Sequence, residues 1–158
     1  MIKKIILISI LGVIAVFGLN YLREPEIKQD IYEITASDIH GKPISFKEFK
    51  EKPLLLFFWS TWDMVATFEA KSIEKLSKDY NVVTIVVNSG STVGIKKYME
   101  DNNLTYPVIN DNQGNVANKF NIKVFPTTII YDKKSKVKFV EVGYTTPWGL
   151  KARLKLSE

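Results

Sequence analysis

The chain has 158 residues, 46% of them hydrophobic and 25% charged, with a net charge of +5. That length and composition fit one globular domain with some chain to spare, and they exclude general disorder. There is no cysteine and a single histidine, His40. Disulfide scaffolding, thiolate catalysis, iron–sulfur clusters and cysteine-ligated zinc are excluded, and a histidine-rich metal site is not expected. No cofactor is expected. The mild positive charge favours solubility and weak attraction to anionic surfaces, and carries no information about fold.

Residues 1–22 stand apart. Met1-Ile2-Lys3-Lys4 is a short basic start, and Ile5 to Leu19 carries no charge; with Asn20, Tyr21 and Leu22 the uncharged run reaches Arg23. This is the short end of the ~17–25 residues that span a bilayer. The residues after the run, Asn20-Tyr21-Leu22-Arg23, are too large for a small-x-small cleavage site. An uncleaved membrane anchor over 5–22 is therefore favoured over a cleaved signal. Lys3 and Lys4 place the N-terminus in the cytoplasm and the rest outside, in the periplasm or on the outer face of the cytoplasmic membrane. Residues 23–30, with Pro25 and mixed charges, read as a linker, and 31–158 as the globular domain.

Within that domain, Ile31–Thr35 and Pro43–Phe46 flank a turn-rich stretch and predict a β-hairpin, with His40 exposed in its turn. Phe46–Phe49 predicts a helical turn. Leu54–Trp59 is a continuous apolar run, the pattern of a strand buried on both faces. From Met64 to Tyr80, Val65, Phe68, Ile73, Leu76 and Tyr80 recur at helical spacing and predict an amphipathic helix. Val82–Val87 predicts a second buried strand, Ile95–Asn102 a helix, and Val116–Phe120 a short helix. Ile129–Tyr131 and Val137–Val142 predict a hairpin around a lysine-rich tip, and Thr146-Pro147 opens a last helix. Strand–helix alternation closed by a hairpin and a helix indicates an α/β fold with a mixed central sheet and helices on both faces.

Two stretches say more. Leu54–Ala70 reads LLLFFWSTWDMVATFEA, and residues 124–130 read VFPTTII. The first closely resembles the strand-to-helix turn of thioredoxin-fold disulfide oxidoreductases, in the membrane-anchored TlpA/ResA-like branch, where it runs roughly FWAtWCxxCrxE. The second resembles that family's cis-proline loop. Tyr106-Pro107-Val108 with Asp111, Gly114, Val116 and Ala117, the glycine at Gly143, and Asp38–Phe46 resemble further elements of the same branch. The resemblance spans about residues 31–156 and implies a thioredoxin-like fold.

One departure governs the chemistry. Where the family has its two cysteines, this chain has Asp63 and Ala66. Exchange needs an attacking thiolate and a second thiol to resolve the mixed disulfide. The motif sits at a helix N-terminus because the positive potential there lowers a thiol's pKa. Asp63 is suited to that place as a helix cap, but it cannot form a disulfide, and Ala66 has no atom with which to resolve one. The family's reaction is therefore expected to be absent. Glu69 stands where the branch has a glutamate that assists proton transfer, while Phe57 replaces the buried acid of thioredoxin itself. A partly exposed helix residue is an equally open reading of Glu69, although its place on the same helical face as Val65 and Ile73 allows some burial.

The resemblance also implies that the backbone beside Pro126 pairs with an extended peptide. Trp62, Phe125, Pro126 and Thr127 are the candidate peptide-binding residues, with plain packing as the alternative for Trp62 and Phe125. Three readings stay open: a redox-inactive domain that binds a protein partner in the old groove; a cysteine-disabled copy of an active oxidoreductase; and a structural or assembly domain that uses the hairpin tip at Lys133, Lys134 and Lys136. No glycine-rich phosphate loop, Ser/His/Asp set or aromatic-basic stripe points to nucleotides, hydrolysis or nucleic acid.

Overall fold

The computed structural model describes residues 6, 25–27, 30–49 and 52–158. The predicted anchor at 5–22 lies outside these apart from Ile6, and among the described residues no helix is long and apolar enough to cross a membrane.

The domain starts with a 3-10 turn, Ile31–Glu33, where the hairpin reading expected a strand. Asp30 caps this turn, its Oδ1 accepting the Tyr32 N–H at 2.9 Å. Ile31 and Ile34, three apart, thereby bury on one side. The hairpin itself is reduced to β1 (Ala36–Ser37) paired with β2 (Pro43–Ile44). In its turn, Asp38 Oδ1 accepts the His40 and Lys42 N–H groups, both at 2.8 Å, and His40 is exposed as expected. A second 3-10 turn spans Phe46–Phe49.

The main sheet comprises β3 (Leu54–Trp59), β4 (Asn81–Val87), β5 (Val108–Asp111), β6 (Thr127–Tyr131) and β7 (Val137–Val142), in the order β5-β4-β3-β6-β7. β3 runs parallel to β4 and antiparallel to β6, so the sheet is mixed. Its central strand is buried throughout. Alternation divides it between two core layers. Leu55, Phe57 and Trp59 face one layer with Ile73, Ile95 and Leu150; Leu54, Leu56 and Phe58 face the other with Ile31, Phe120 and Ile129.

The helices are α1 (Met64–Leu76), α2 (Thr92–Asp101), α3 (Asn115–Lys119) and α4 (Pro147–Lys155). Residues of α1, α2 and α4 cover the first layer, while α3 and the initial 3-10 turns cover the second. Each helix start has its own donor-satisfying device. Ser91 and Thr146 cap α2 and α4 through Gly94 N–H and Gly149 N–H, each at 3.2 Å. The short α3 instead uses the buried Asp111 carboxylate, which accepts the Val116 and Ala117 N–H groups at 3.1 and 2.8 Å.

The face that α1 buries differs from the one its large apolar residues suggest. Ala66, Glu69, Ala70, Ile73 and Leu76 point inward, whereas Val65 and Phe68 are exposed. Two alanines four apart leave room for the helix to lie close on the sheet, and the bulky side chains turn outward.

Candidate functional site

β3 delivers its last residue, Trp59, to the centre of the sheet's carboxyl end, and Ser60–Asp63 form the turn into α1. Three hydrogen bonds tie this turn to the end of β4. Ser60 Oγ donates to Val87 O at 2.9 Å, Ser89 Oγ accepts the Thr61 N–H at 3.0 Å, and the Trp62 indole N–H donates to Asn88 O at 3.0 Å. Ser60, Asn88 and Ser89 were not among the residues expected from sequence, because their partners lie 26 to 28 positions away.

Asp63 is the N-cap of α1. Its backbone is extended, and its Oδ1 accepts the Val65 and Ala66 N–H groups at 2.8 and 3.2 Å. The carboxylate thus occupies the positive helix end that a thiolate would use. Ala66, one turn on, is wholly buried beneath this cap. The two positions that would carry sulfur hold a cap and a core methyl group.

Glu69 is buried completely, so of the two readings left open for it the partly exposed one does not hold. Its Oε2 accepts the Thr145 N–H at 3.2 Å, and its Oε1 takes a long bond from Thr128 Oγ1 at 3.5 Å. Burial pushes its pKa up from 4.5 to about 8; the two hydrogen bonds pull down, and the nearby Glu141 adds to the rise. At neutral pH Glu69 is therefore protonated. Desolvation outweighs two bonds to the charged form because the group has no cation beside it. Phe57, at the thioredoxin acid position, is fully buried and stacks on Trp59 with ring centroids 6.2 Å apart. Asp63 and Glu69 share no partner: one caps the helix from outside, the other is sealed beneath it. They do not form an acid pair, and among the described residues no cluster of His, Asp and Glu is arranged to hold a metal.

The Phe125–Pro126 peptide is cis. Pro126 is buried, and its carbonyl accepts the Gly143 N–H at 2.8 Å. Thr127 opens β6 and is also buried, its hydroxyl bonded to Val124 O at 2.7 Å. Its side chain is engaged internally. Trp62 is 64% exposed, so plain packing does not account for it. The Phe125 ring is half-buried and packs against the second core layer. It lines a cavity of about 320 Å³ with Asn88, Gly114 and Ile122. Asn88, which lines that cavity, is also the residue whose carbonyl accepts the Trp62 indole N–H. Among the described residues neither the N–H nor the C=O of Phe125 has a backbone partner. The Phe125 main chain thus offers an open donor and an open acceptor among the described residues.

Comparison with known proteins agrees with the fold. The profile of the AhpC/TSA family matches residues 27–140. A thioredoxin-like protein of Haemophilus influenzae is 33% identical over 142 residues, covering 89% of this chain and 84% of that one. The thiol-disulfide oxidoreductase ResA of Geobacillus thermodenitrificans is 29% identical over 127 residues, covering 78% of this chain and 73% of its own. Among solved structures, a secreted Mycobacterium tuberculosis disulfide oxidoreductase superposes with a TM-score of 0.69 at 21% identity, covering 79% of this chain and 96% of that one. The chain belongs to the thioredoxin-like AhpC/TSA family, in its ResA-like branch, with Asp63 and Ala66 where that branch carries its cysteines.

Proposed function

We propose that this chain is a redox-inactive, thioredoxin-like binding domain that holds an extended peptide segment of a protein partner against the Phe125 main chain, which the buried Pro126 and Thr127 position, with Trp62 as the opposite wall. The observation that carries the reading is the unpaired Phe125 backbone at the cis-proline, in a domain whose strand-to-helix turn carries a 64% exposed Trp62 and whose sulfur positions hold a cap and a methyl group. Strand addition uses such main-chain groups for affinity and neighbouring side chains for selectivity. Residues 5–22 anchor the chain, and the domain works outside the cytoplasmic membrane; the secreted Mycobacterium tuberculosis relative supports that location. Residues 23–30 serve as the tether and 31–158 as the working domain.

The test is a fluorescence titration of the full-length chain in non-ionic detergent with a neutral, extended, apolar peptide. Saturable binding that Trp62→Ala weakens about tenfold supports the reading, since an exposed aromatic anchor at an interface is worth on the order of 1–2 kcal/mol. Binding untouched by Trp62→Ala, or no binding, rejects it.

A further inference from the structure

The outer surface of α1 and α4 has a pattern that neither the core nor the cap requires. The two helices pack against each other. They run in the same direction, away from the site end. α1 leaves the turn after Trp59, and α4 starts beside Glu69 at Thr145 and ends where Ser157 O accepts the Lys133 N–H, next to β6's far end. Each carries an exposed aromatic in its N-terminal half: Phe68 on α1 is 67% exposed and Trp148 on α4 is 82% exposed. Each then continues with exposed lysines at helical spacing, Lys71 and Lys75 on α1, Lys151 and Lys155 on α4.

This face has no acid of its own. α4 contains no Asp or Glu. In α1, Glu69 is buried and Glu74 is turned to Lys78 and to the Thr105 backbone. Among the described residues, none of the four lysines is paired with a carboxylate. An ordinary solvated helix intersperses both signs; here the positive charge begins where the aromatics end, and acids return only past the helix ends at the exposed Asp79 and Glu158.

We propose that this face docks an acidic segment of the partner protein, whose apolar residues contact Phe68 and Trp148 and whose following carboxylates run along Lys71, Lys75, Lys151 and Lys155. The segment's leading end continues into the edge at Trp62, so its placement there rests on the peptide-binding reading above. From Phe68 to Lys75 and from Trp148 to Lys155 the rise is about 10 Å, the reach of three or four extended residues. An acidic protein segment with leading apolar residues matches the order of this face, aromatics first and lysines after.

The test uses the full-length chain in non-ionic detergent and two fluorescein-labelled peptides, one apolar extended sequence followed either by four glutamines or by four glutamates. At about 0.05 M salt the glutamate peptide is expected to bind roughly tenfold more tightly, and the gain should vanish near 1 M, where screening falls to ~3 Å. A variant with Lys71→Gln, Lys75→Gln, Lys151→Gln and Lys155→Gln should lose the gain and keep wild-type affinity for the glutamine peptide, with an unchanged circular dichroism melt. Equal affinity for both peptides overturns the proposal and leaves the edge at Trp62 standing. Lysine-dependent binding of the glutamate peptide alone, with no binding of the other, supports the docking face and rejects the edge. No binding of either overturns both. A blue shift of tryptophan emission in phosphatidylglycerol vesicles over phosphatidylcholine vesicles, abolished by the four substitutions, would make a bilayer the occupant and also overturn it.

Discussion

Glu69 and Thr145 stand 76 positions apart, yet the carboxyl group of the first accepts the backbone N–H of the second at 3.2 Å inside the core. The bond joins α1 to the loop that starts α4, directly beneath the residues that replace the thiols. It also fixes a titratable group where water does not reach.

That placement makes stability depend on pH in a defined direction. The folded pKa of Glu69 is raised from 4.5 to about 8, so between those values the native state holds a proton that the unfolded chain has released. Stability is then full below about pH 4.5, falls as pH rises towards 8, and levels off above it. The slope is on the order of 1 kcal/mol per pH unit. Glu69→Gln, which keeps an acceptor for Thr145, is expected to flatten this profile and to be the more stable form at pH 8. Urea melts at pH 5, 6.5 and 8 measure it; parallel profiles for the two proteins would show that Glu69 is ionised in the native state.

The cap at Asp63 is a structural contribution in its own right. Asp63→Ala removes the acceptor for the Val65 and Ala66 N–H groups and should cost about 0.5–2 kcal/mol, while Asp63→Ser should stay within a few tenths. Chemical denaturation of both variants decides the point. Equal losses would mean that the hydroxyl does not reach the donors.

Within α1, the buried and exposed faces predict opposite sensitivities. Ile73 is fully buried, and Ile73→Ala should cost about 2–5 kcal/mol. Phe68 is 67% exposed, and Phe68→Ala should change stability by no more than about 0.5 kcal/mol. A large loss at Phe68 in thermal melts would return that ring to the core.

This contrast also shows where sequence reasoning succeeds. Leu54–Trp59 and Val82–Val87 are legible as buried strands because unbroken apolar runs have few other homes in a small domain. The Asp63 cap is legible because capping is local, and the mixed α/β order follows from the alternation of elements. Phe68 misleads because helical spacing alone does not say which of two apolar stripes meets the sheet; the small residues Ala66 and Ala70 won by allowing closer approach. The clamp of Ser60, Trp62, Asn88 and Ser89, and the bond from Thr145 to Glu69, connect residues far apart in the chain. No local pattern announces them. At Ile31–Glu33 the Asp30 cap outweighed strand propensity.

The central claim is that the site lacks sulfur and little else, and disulfide reduction tests it most directly. Insulin reduction by the chain as it stands should not exceed background. The Asp63→Cys, Ala66→Cys double variant should reduce insulin, with the cap lost but Glu69 still holding its proton beneath the new thiols. Turnover by the cysteine-free chain, or a normally folded double variant that remains inert, would contradict the account.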